Sequence, residues 1–499
     1  MNNRRMTHGL VAFFIVLICI AGCIPEDSLQ WSEDGSAGLL RVEEALYLVD
    51  GQIGELTEIA KENVQPWPDI SEDGSLIAYS EEVECDNLSQ GLKLLPPGQV
   101  KMIQYNAKRM SEAILKAGGL VDGKFPDPYE ELFRLEDYGN WVIRHLCENA
   151  DSELLKILGD EGIEKGKEKA IRYFQVVVVS RDKLEDKHII TANIFGTVAT
   201  RLSPNNQYVA YIMQTQYRQE DEEYSLYVAS LKGDGKAMLV DQRVAFGYDW
   251  SKDSRTIAYI KADSENIGDG DAALGTLQER VIADVDDNLL AESIEIEKKE
   301  HGSVGTHKCT GQVTPLVGLI YYPWLKIQYG FGERIFFSSC VLPLPASKRD
   351  EPGWSLFCYD SVTGTVTDVL PQAVSNYTSQ AVCMLQFDLS PDGKYVLLPI
   401  KNNRFLNYEL GTTDSIEIPI EEDEGFGEEE ISELTPSWKG NNEISFLVSN
   451  NSHFLSKTKE GQGKPDRYEI VILRRTNGRS RVLSKNWPDE VMSNLEDDN

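Results

Sequence analysis

The sequence predicts an all-β protein, a β-propeller of seven four-stranded blades with one helical insertion in its second blade. Three observations predict this architecture: a short motif that recurs along most of the chain, a spacing between copies that fits one blade, and a helical stretch after the second copy. The spacing leaves six or eight blades open as alternatives.

The recurring motif is an aromatic or apolar residue, then Ser, any residue, Asp or Asn, a turn residue and a short apolar strand. Ser-x-Asp-Gly is typical of a tight turn, because the Asp carboxylate can accept a hydrogen bond from the backbone two residues on and Gly tolerates a positive φ. Five copies are plain, with the acidic or amide turn residue at Asp34, Asp73, Asn205, Asp253 and Asp392. A shortened copy lies at 438–446, and another, recognisable mainly by its place, at 327–337.

The spacing of the motif serines sets the number of blades. The intervals from Ser32 to Ser71 and from Ser203 to Ser251 match one blade of about 40 to 45 residues. The interval from Ser251 to Ser390 has room for two blades. Since one four-stranded unit cannot bury both of its faces, such units must pack on one another, as they do in a propeller. The strands that complete the blades are visible as apolar segments at 44–49, 224–229, 354–359 and 468–473.

These segments resemble the TolB-type, WD40-like β-propeller repeat, which also occurs in the propellers of prolyl oligopeptidase relatives. The resemblance covers most of the chain outside residues 1–30 and 86–172, and it implies a propeller over 31–485. It implies almost nothing about activity. The last repeat runs to about Leu483, and the Gly-x-Ser-x-Gly nucleophile elbow of the peptidase relatives is absent. We therefore expect the fold without the catalysis, and no enzyme.

Residues 86–172 interrupt the repeat and are helical in character. Segments rich in Glu, Lys, Leu, Ala and Arg, with apolar residues three and four apart, predict helices over Val100–Lys116, Pro128–Asn149 and Ser152–Tyr173. Two interpretations of this insertion stay open. It is either a surface for a specific contact, since function concentrates on segments added to a rigid scaffold, or a cap that covers an exposed blade edge.

The N-terminus predicts an export signal over residues 1–22. Arg4 and Arg5 precede an apolar run, 10–20, whose helix would rise only about 16 Å, too short for a bilayer core of about 30 Å. The segment 20–23 resembles the bacterial lipobox, which implies that Cys23 carries the lipid and that 23–30 form a tether. We expect a protein anchored to a membrane by this lipid, in the bacterial cell envelope and outside the cytoplasm, with the periplasmic side favoured.

The charge balance excludes one class of partner. The formal net charge of the chain is −32, and such a surface repels phosphate backbones, so nucleic acid is not an expected partner. The same charge could attract cations or basic proteins, or could simply keep the domain soluble.

Cysteines and acidic loops supply two weaker predictions. An exported protein with an even number of cysteines is compatible with disulfides, and the local layout favours Cys85 with Cys147 and Cys340 with Cys358. Free buried cysteines are the alternative. We expect no metal and no cofactor, although oxygen ligands in one Gly-containing loop could hold calcium: Asp263, Glu265, Asp269 and Asp271.

Together these features predict a membrane-anchored, non-catalytic β-propeller that acts as a protein-interaction platform in the cell envelope. Two other classes stay open. One is a propeller enzyme of the lyase or glycosidase type, which would need convergent carboxylates, histidines or tyrosines on the inner strands. The other is a module that binds a small ligand or a cation through the channel mouth and the acidic loops.

Overall fold

The structure is a computed structural model that describes most of the repeats and the insertion. It describes residues 28–42, 44–121, 123–126, 136–216, 223–232, 237–262, 275–282, 297–304, 306–307, 312–313, 326–332, 334–341, 353–369, 387–400, 404–410, 415–419, 436–449, 468–475 and 480–484.

The described part of the chain contains seven four-stranded antiparallel sheets, each built from four strands that are consecutive in sequence. They are the blades of a seven-bladed β-propeller, so the predicted fold class and blade number are confirmed. Blades 1 and 2 are β1 (Ser28–Trp31), β2 (Ala37–Val42), β3 (Ala45–Asp50), β4 (Leu56–Ala60), and β5 (Asp69–Ile70), β6 (Leu76–Cys85), β7 (Ile171–Ser180), β8 (Lys183–Asn193).

The next two blades follow the insertion. They are β9 (Thr197–Leu202), β10 (Tyr208–Gln216), β11 (Glu223–Ser230), β12 (Ala237–Gln242), and β13 (Val244–Trp250), β14 (Thr256–Ala262), β15 (Gly275–Val281), β16 (Glu297–Val304). A two-stranded sheet of β17 (Thr306–His307) and β18 (Gln312–Val313) comes between blades 4 and 5 in the sequence.

The last three blades complete the series. They are β19 (Ile327–Tyr329), β20 (Arg334–Val341), β21 (Gly353–Asp360), β22 (Thr365–Asp368), then β23 (Asp388–Leu389), β24 (Tyr395–Ile400), β25 (Arg404–Glu409), β26 (Ser415–Pro419), and β27 (Ser437–Lys439), β28 (Glu443–Ser449), β29 (Tyr468–Arg474), β30 (Ser480–Ser484). The first strand of the propeller starts at Ser28, inside the segment predicted as a tether, so blade 1 begins slightly earlier than expected.

The chain divides into two compact units. One comprises Met1–Glu58, Thr306–Thr314 and Gly330–Asn499, and the other Ile59–Gly305 and Pro315–Tyr329, as far as their residues are described. In the first unit, blades 1 and 7 pack through a shared cluster that includes Tyr47 and Ile470, and the Trp31 indole N–H donates to Ser445 Oγ at 2.6 Å.

The second unit contains blades 2, 3 and 4 with apolar side chains packed between them. Ala78 and Val176 of blade 2 lie in one cluster with Tyr211 of blade 3. Ile212 of blade 3 lies in another with Tyr259 of blade 4. The motif strands of blades 2, 3 and 4 therefore bury residues against a neighbouring blade, which is why the apolar run after each of these turns is nearly continuous.

The motif turns have the geometry that the sequence predicts. In each plain copy the Ser hydroxyl lies 2.6–2.9 Å from the Asp or Asn side-chain oxygen, which also accepts the backbone N–H two residues further on. The residue after the Asp or Asn has a positive φ in all five copies, although in two of them it is not Gly but Asn206 or Ser254. These acidic and amide side chains therefore have a structural role in the repeat.

The insertion lies between the second and third strands of blade 2. Its described helices are α1 (Leu88–Leu94), α2 (Pro97–Ala117), α3 (Glu136–Glu148) and α4 (Ser152–Lys167). The sequence prediction missed α1, and it extended the last helix to Tyr173, which in fact lies in β7. The predicted start of a helix at Pro128 lies outside the described residues. Gly159, with φ 65°, breaks α4 into two segments.

Candidate functional site: the inner strands and the helical insertion

An aspartate that precedes the motif serine by two residues links neighbouring blades. Asp69 accepts the backbone N–H of Leu202 at 2.7 Å, and Asp249 accepts that of Tyr329 at 2.7 Å. Asp388 accepts that of Trp438 at 2.9 Å in the same way. Each aspartate lies on or at the end of the first strand of its blade and bonds to the first strand of the next. Sequence analysis missed this role, although the recurrence of Asp at the same place in blades 2, 4 and 6 was a usable signal.

Two of these aspartates flank a guanidinium and form a short polar row. The first strands of neighbouring blades contact one another in this unit, β5 with β9 and β9 with β13. As a result Arg201 lies between Asp69 and Asp249, and its Nη1 is 2.5 Å from Asp249 Oδ1. We call Asp69, Arg201 and Asp249 the inner row. The side chains of Arg201 and Asp249 are 29% and 15% exposed, so solvent reaches the row although protein surrounds it densely.

One carboxyl group of the inner row, that of Asp69, has an unusually high pKa. Burial raises the pKa of Asp69 to about 6, and the nearby Arg201 charge offsets only part of that rise. Asp69 therefore changes its charge close to neutral pH, as general acids and bases do. The same observation fits an ordinary carboxyl group buried at a blade interface, because its hydrogen bond to Leu202 is structural.

A second polar cluster, separate from the inner row, joins blades 3 and 4. Asp241 accepts hydrogen bonds from Tyr259 at 2.7 Å and from Arg280 at 3.1 Å, and it also pairs with Lys261. Burial opposes ionisation of Asp241, but these hydrogen bonds outweigh it and hold its pKa below the usual value. All three contacts join Asp241 of blade 3 to residues of blade 4, so this cluster links the two blades.

The insertion has its own apolar core. Trp141, Tyr138 and Ile103 are fully buried in a cluster that also takes in Ile171 and Tyr173 of β7. The Trp141 indole N–H donates to the backbone oxygen of Arg172 at 2.8 Å. The core of the insertion is therefore continuous with the base of its blade.

Polar contacts fix the insertion at two more places. Gln99 of α2 bonds to the buried Asn193 at the end of β8, and its side-chain oxygen accepts the N–H of Ile194 at 3.1 Å. Arg144 of α3 donates to the backbone oxygens of Asp86 and Lys169, at 2.5 and 3.2 Å, across the entrance and exit of the insertion. Because a shared core and these hydrogen bonds hold the insertion in place, its surface is formed before any partner binds.

The predicted disulfides are not formed. Cys85, Cys147 and Cys358 are buried free thiols. Cys85 and Cys147 lie in the same cluster, yet each packs against a different glycine, Gly91 or Gly166. Burial raises the pKa of the Cys147 thiol to about 11, and that of Cys358 likewise, so both stay protonated and unreactive.

The strand register of blade 5 explains why Cys340 and Cys358 do not form a disulfide. Cys340 lies opposite Trp354, and Cys358 lies opposite Phe336. The two cysteines are thus four residue positions apart along the ladder, about 13 Å, whereas a disulfide needs Cα atoms within about 7 Å.

Several predicted site residues lie outside the described residues. These are Cys23 and the calcium candidates Asp263, Glu265, Asp269 and Asp271. Among the residues that the structure does describe, no group of three or more His, Cys, Asp or Glu side chains is placed to hold a metal ion. Likewise, none of the described helices is long and apolar enough to cross a membrane.

Comparisons with known proteins find distant similarity to solved structures and no family. No protein-family model and no curated protein sequence matches the chain. Solved structures that are similar to it include a hydrazine synthase from Kuenenia stuttgartiensis, with 11% identity over 77% of this chain and 76% of that one, at a TM-score of 0.39. Another is a putative TolB from Agrobacterium tumefaciens, with 12% identity over 60% of this chain and 85% of that one, at a TM-score of 0.33.

A third similar structure is an oligogalacturonate lyase from Vibrio parahaemolyticus, with 11% identity over 74% of each chain, at a TM-score of 0.36. These similar structures include enzymes and a protein described as a putative TolB, at identities too low to carry an activity across. Strand topology and repeat geometry define the class of this protein, a seven-bladed β-propeller with a helical insertion in blade 2.

Proposed function

We propose that the protein is a membrane-anchored, non-catalytic β-propeller that serves as a protein-interaction platform in the bacterial cell envelope. The observation that carries this proposal is the insertion, which is folded on its own core and fixed to blade 2. A rigid, preformed element binds a partner without the entropy cost of ordering a loop. Two apolar side chains of the insertion are exposed and available for contact, Val121 at 50% and Leu155 at 44%.

The anchored location rests on the leader and on Cys23. Residues 1–22 have the pattern of an export signal, and the lipobox resemblance makes Cys23 the lipid attachment point. A tether that ends where β1 starts, at Ser28, is at most a few residues long. The propeller would therefore work close to the membrane, on the periplasmic side, with a protein partner and without nucleic acid.

The test places a photo-crosslinking amino acid on the insertion in living cells. Removal of 86–172 is a poor test, because Ile171 and Arg172 belong to β7 and the deletion would expose the blade core. A crosslinker placed at Leu155, or in a second variant at Val121, should capture one discrete protein. The matched control is Phe331, which is 79% exposed and lies in a blade turn. Equal capture at both sites, or none at Leu155 and Val121, would contradict the insertion as contact surface.

A second candidate is a ligand-binding or catalytic propeller of the lyase or glycosidase type, and the inner row is the observation that favours it. The side chains of Arg201 and Asp249 are partly accessible, and burial brings the pKa of Asp69 to about 6. Thermal-shift measurements with neutral and anionic oligosaccharides test it. A stabilising ligand whose effect disappears in Asp69→Asn, while a variant at the end of β21 such as Asp360→Asn keeps it, would favour this candidate over the platform.

A further inference from the structure

Helix α2 carries a concentration of positive charge in a strongly acidic protein. This helix contains four basic residues and one acidic residue, whereas the whole chain has a formal net charge of −32. The basic residues are Lys101, Lys108, Arg109 and Lys116, and the acidic one is Glu112.

The helix geometry gathers these charges on one face. The opposite face of α2 is buried in the insertion core through Ile103, Met110 and Ile114. At 100° per residue, Lys101, Lys108 and Lys116 fall within one side of the helix, away from the core, and all three are exposed. From Lys101 to Lys116 the stripe is about 22 Å long. We call this side, with Tyr105, Arg109 and Glu112, the basic face.

The lysines of the basic face have no ion-pair partner in the part of the chain that the structure describes. Lys101, Lys108 and Lys116 form no salt bridge there. The lysines of α4 differ, since Lys165 and Lys167 pair with acidic residues on their own helix.

An exposed aromatic ring lies within the stripe. Tyr105 is 58% exposed, and the Arg109 guanidinium lies 5.8 Å from the centre of its ring. A tyrosine flanked by cations suits an interface that is anionic at its surface and apolar beneath, because the ring has an apolar body and a polar tip.

We propose that the basic face of α2 docks on an anionic phospholipid surface and orients the propeller against the membrane. Charge complementarity argues for this occupant. The rest of the chain is acidic and would be repelled by anionic headgroups, so α2 offers the favourable approach. The proposed lipid anchor would bring such a surface within reach, but the charge argument does not depend on it.

The test measures vesicle binding by the chain without its leader, residues 23–499 with Cys23→Ser, so that no acyl chain contributes. The chain should sediment with phosphatidylcholine vesicles that contain phosphatidylglycerol, at low salt, and not with phosphatidylcholine alone. The triple variant Lys101→Glu, Lys108→Glu, Lys116→Glu should bind at least about tenfold more weakly, since each basic residue near an anionic surface contributes a several-fold factor.

The matched control makes the same charge change on α4, with Lys156→Glu, Lys165→Glu and Lys167→Glu, and should bind as the parent does. Circular dichroism checks that both variants fold. Loss of binding confined to the α2 variant supports the proposal. The proposal is overturned if the parent does not bind anionic vesicles, or if both variants lose binding equally. It is also overturned if the chain self-associates in a salt-sensitive way without binding vesicles, because the basic face would then bind an acidic protein surface. Failure here would leave the lipid anchor and the partner contact at Leu155 untouched.

Discussion

At the residue scale, single side chains serve either the turns or the joints between blades. The turn aspartates are held ionised by their own turn; burial opposes this for Asp73, but hydrogen bonds from Ser75 and Ser71 bring its pKa to about 2. The sequence pattern predicted these turns because their chemistry is local. It did not predict the bond from Asp69 to Leu202, because that contact joins residues 133 positions apart.

Two glycines with similar positive φ angles test how tightly the turns pack. Gly393 has φ 65° and Gly332 has φ 72°. A methyl group on Gly393 would come within 2.8 Å of the Phe331 backbone nitrogen, whereas one on Gly332 would meet nothing within 4 Å. Gly332→Ala should cost about 1 kcal/mol through its φ alone. Gly393→Ala should cost clearly more in urea unfolding, and equal costs would contradict the close packing of this turn.

Asp69 predicts a pH dependence with a definite sign. Its pKa is raised to about 6 in the folded protein, whereas in the unfolded chain it is about 3.9. Between these values the folded state binds the extra proton, so the stability contributed by this group falls as the pH rises from about 4 to about 6. Asp69→Asn should remove that slope. Parallel stability curves for parent and variant over this pH range would show that Asp69 is not buried as described.

At the element scale, the insertion is the part where pattern and structure differ most. The periodicity of apolar residues located α2. In α4, the Asp151 side chain caps the first turn by accepting the backbone N–H groups of Glu153 and Leu154. The short α1 was missed because seven residues give too little periodicity. The end of α4 was misplaced because the pairing of β7 with β6, which begins at Ile171, overrides local helical preference.

Trp141 tests whether the insertion is a rigid element with its own core. Trp141→Ala would remove a fully buried ring and its bond to Arg172, at a cost of about 3–5 kcal/mol. Hydrogen exchange should then accelerate across α2, α3 and α4 and leave blade 4 protected. Leu155→Ala, at an exposed position, is the control and should change little. Uniform acceleration in all blades would instead mean that insertion and propeller unfold as one cooperative unit.

At the scale of the whole molecule, the repeat predicted seven blades, and the described strands form seven sheets. This succeeded because five of the seven blades use the same local turn, followed by the same kind of apolar strand. Pairings between distant cysteines could not be predicted in this way, since they depend on register, and blade 5 separates Cys340 from Cys358 by four positions. The inner row and the basic face of α2 likewise emerge only when strands and helix faces are assembled in three dimensions.

The central claim, that this propeller works at a membrane, is tested most directly at the N-terminus of the mature protein. Intact-mass and N-terminal peptide measurements on protein extracted from bacterial membranes should find a chain that starts at Cys23 and carries a diacylglycerol group on its thiol. An unmodified Cys23, or a mature chain that starts at another residue, would contradict the claim.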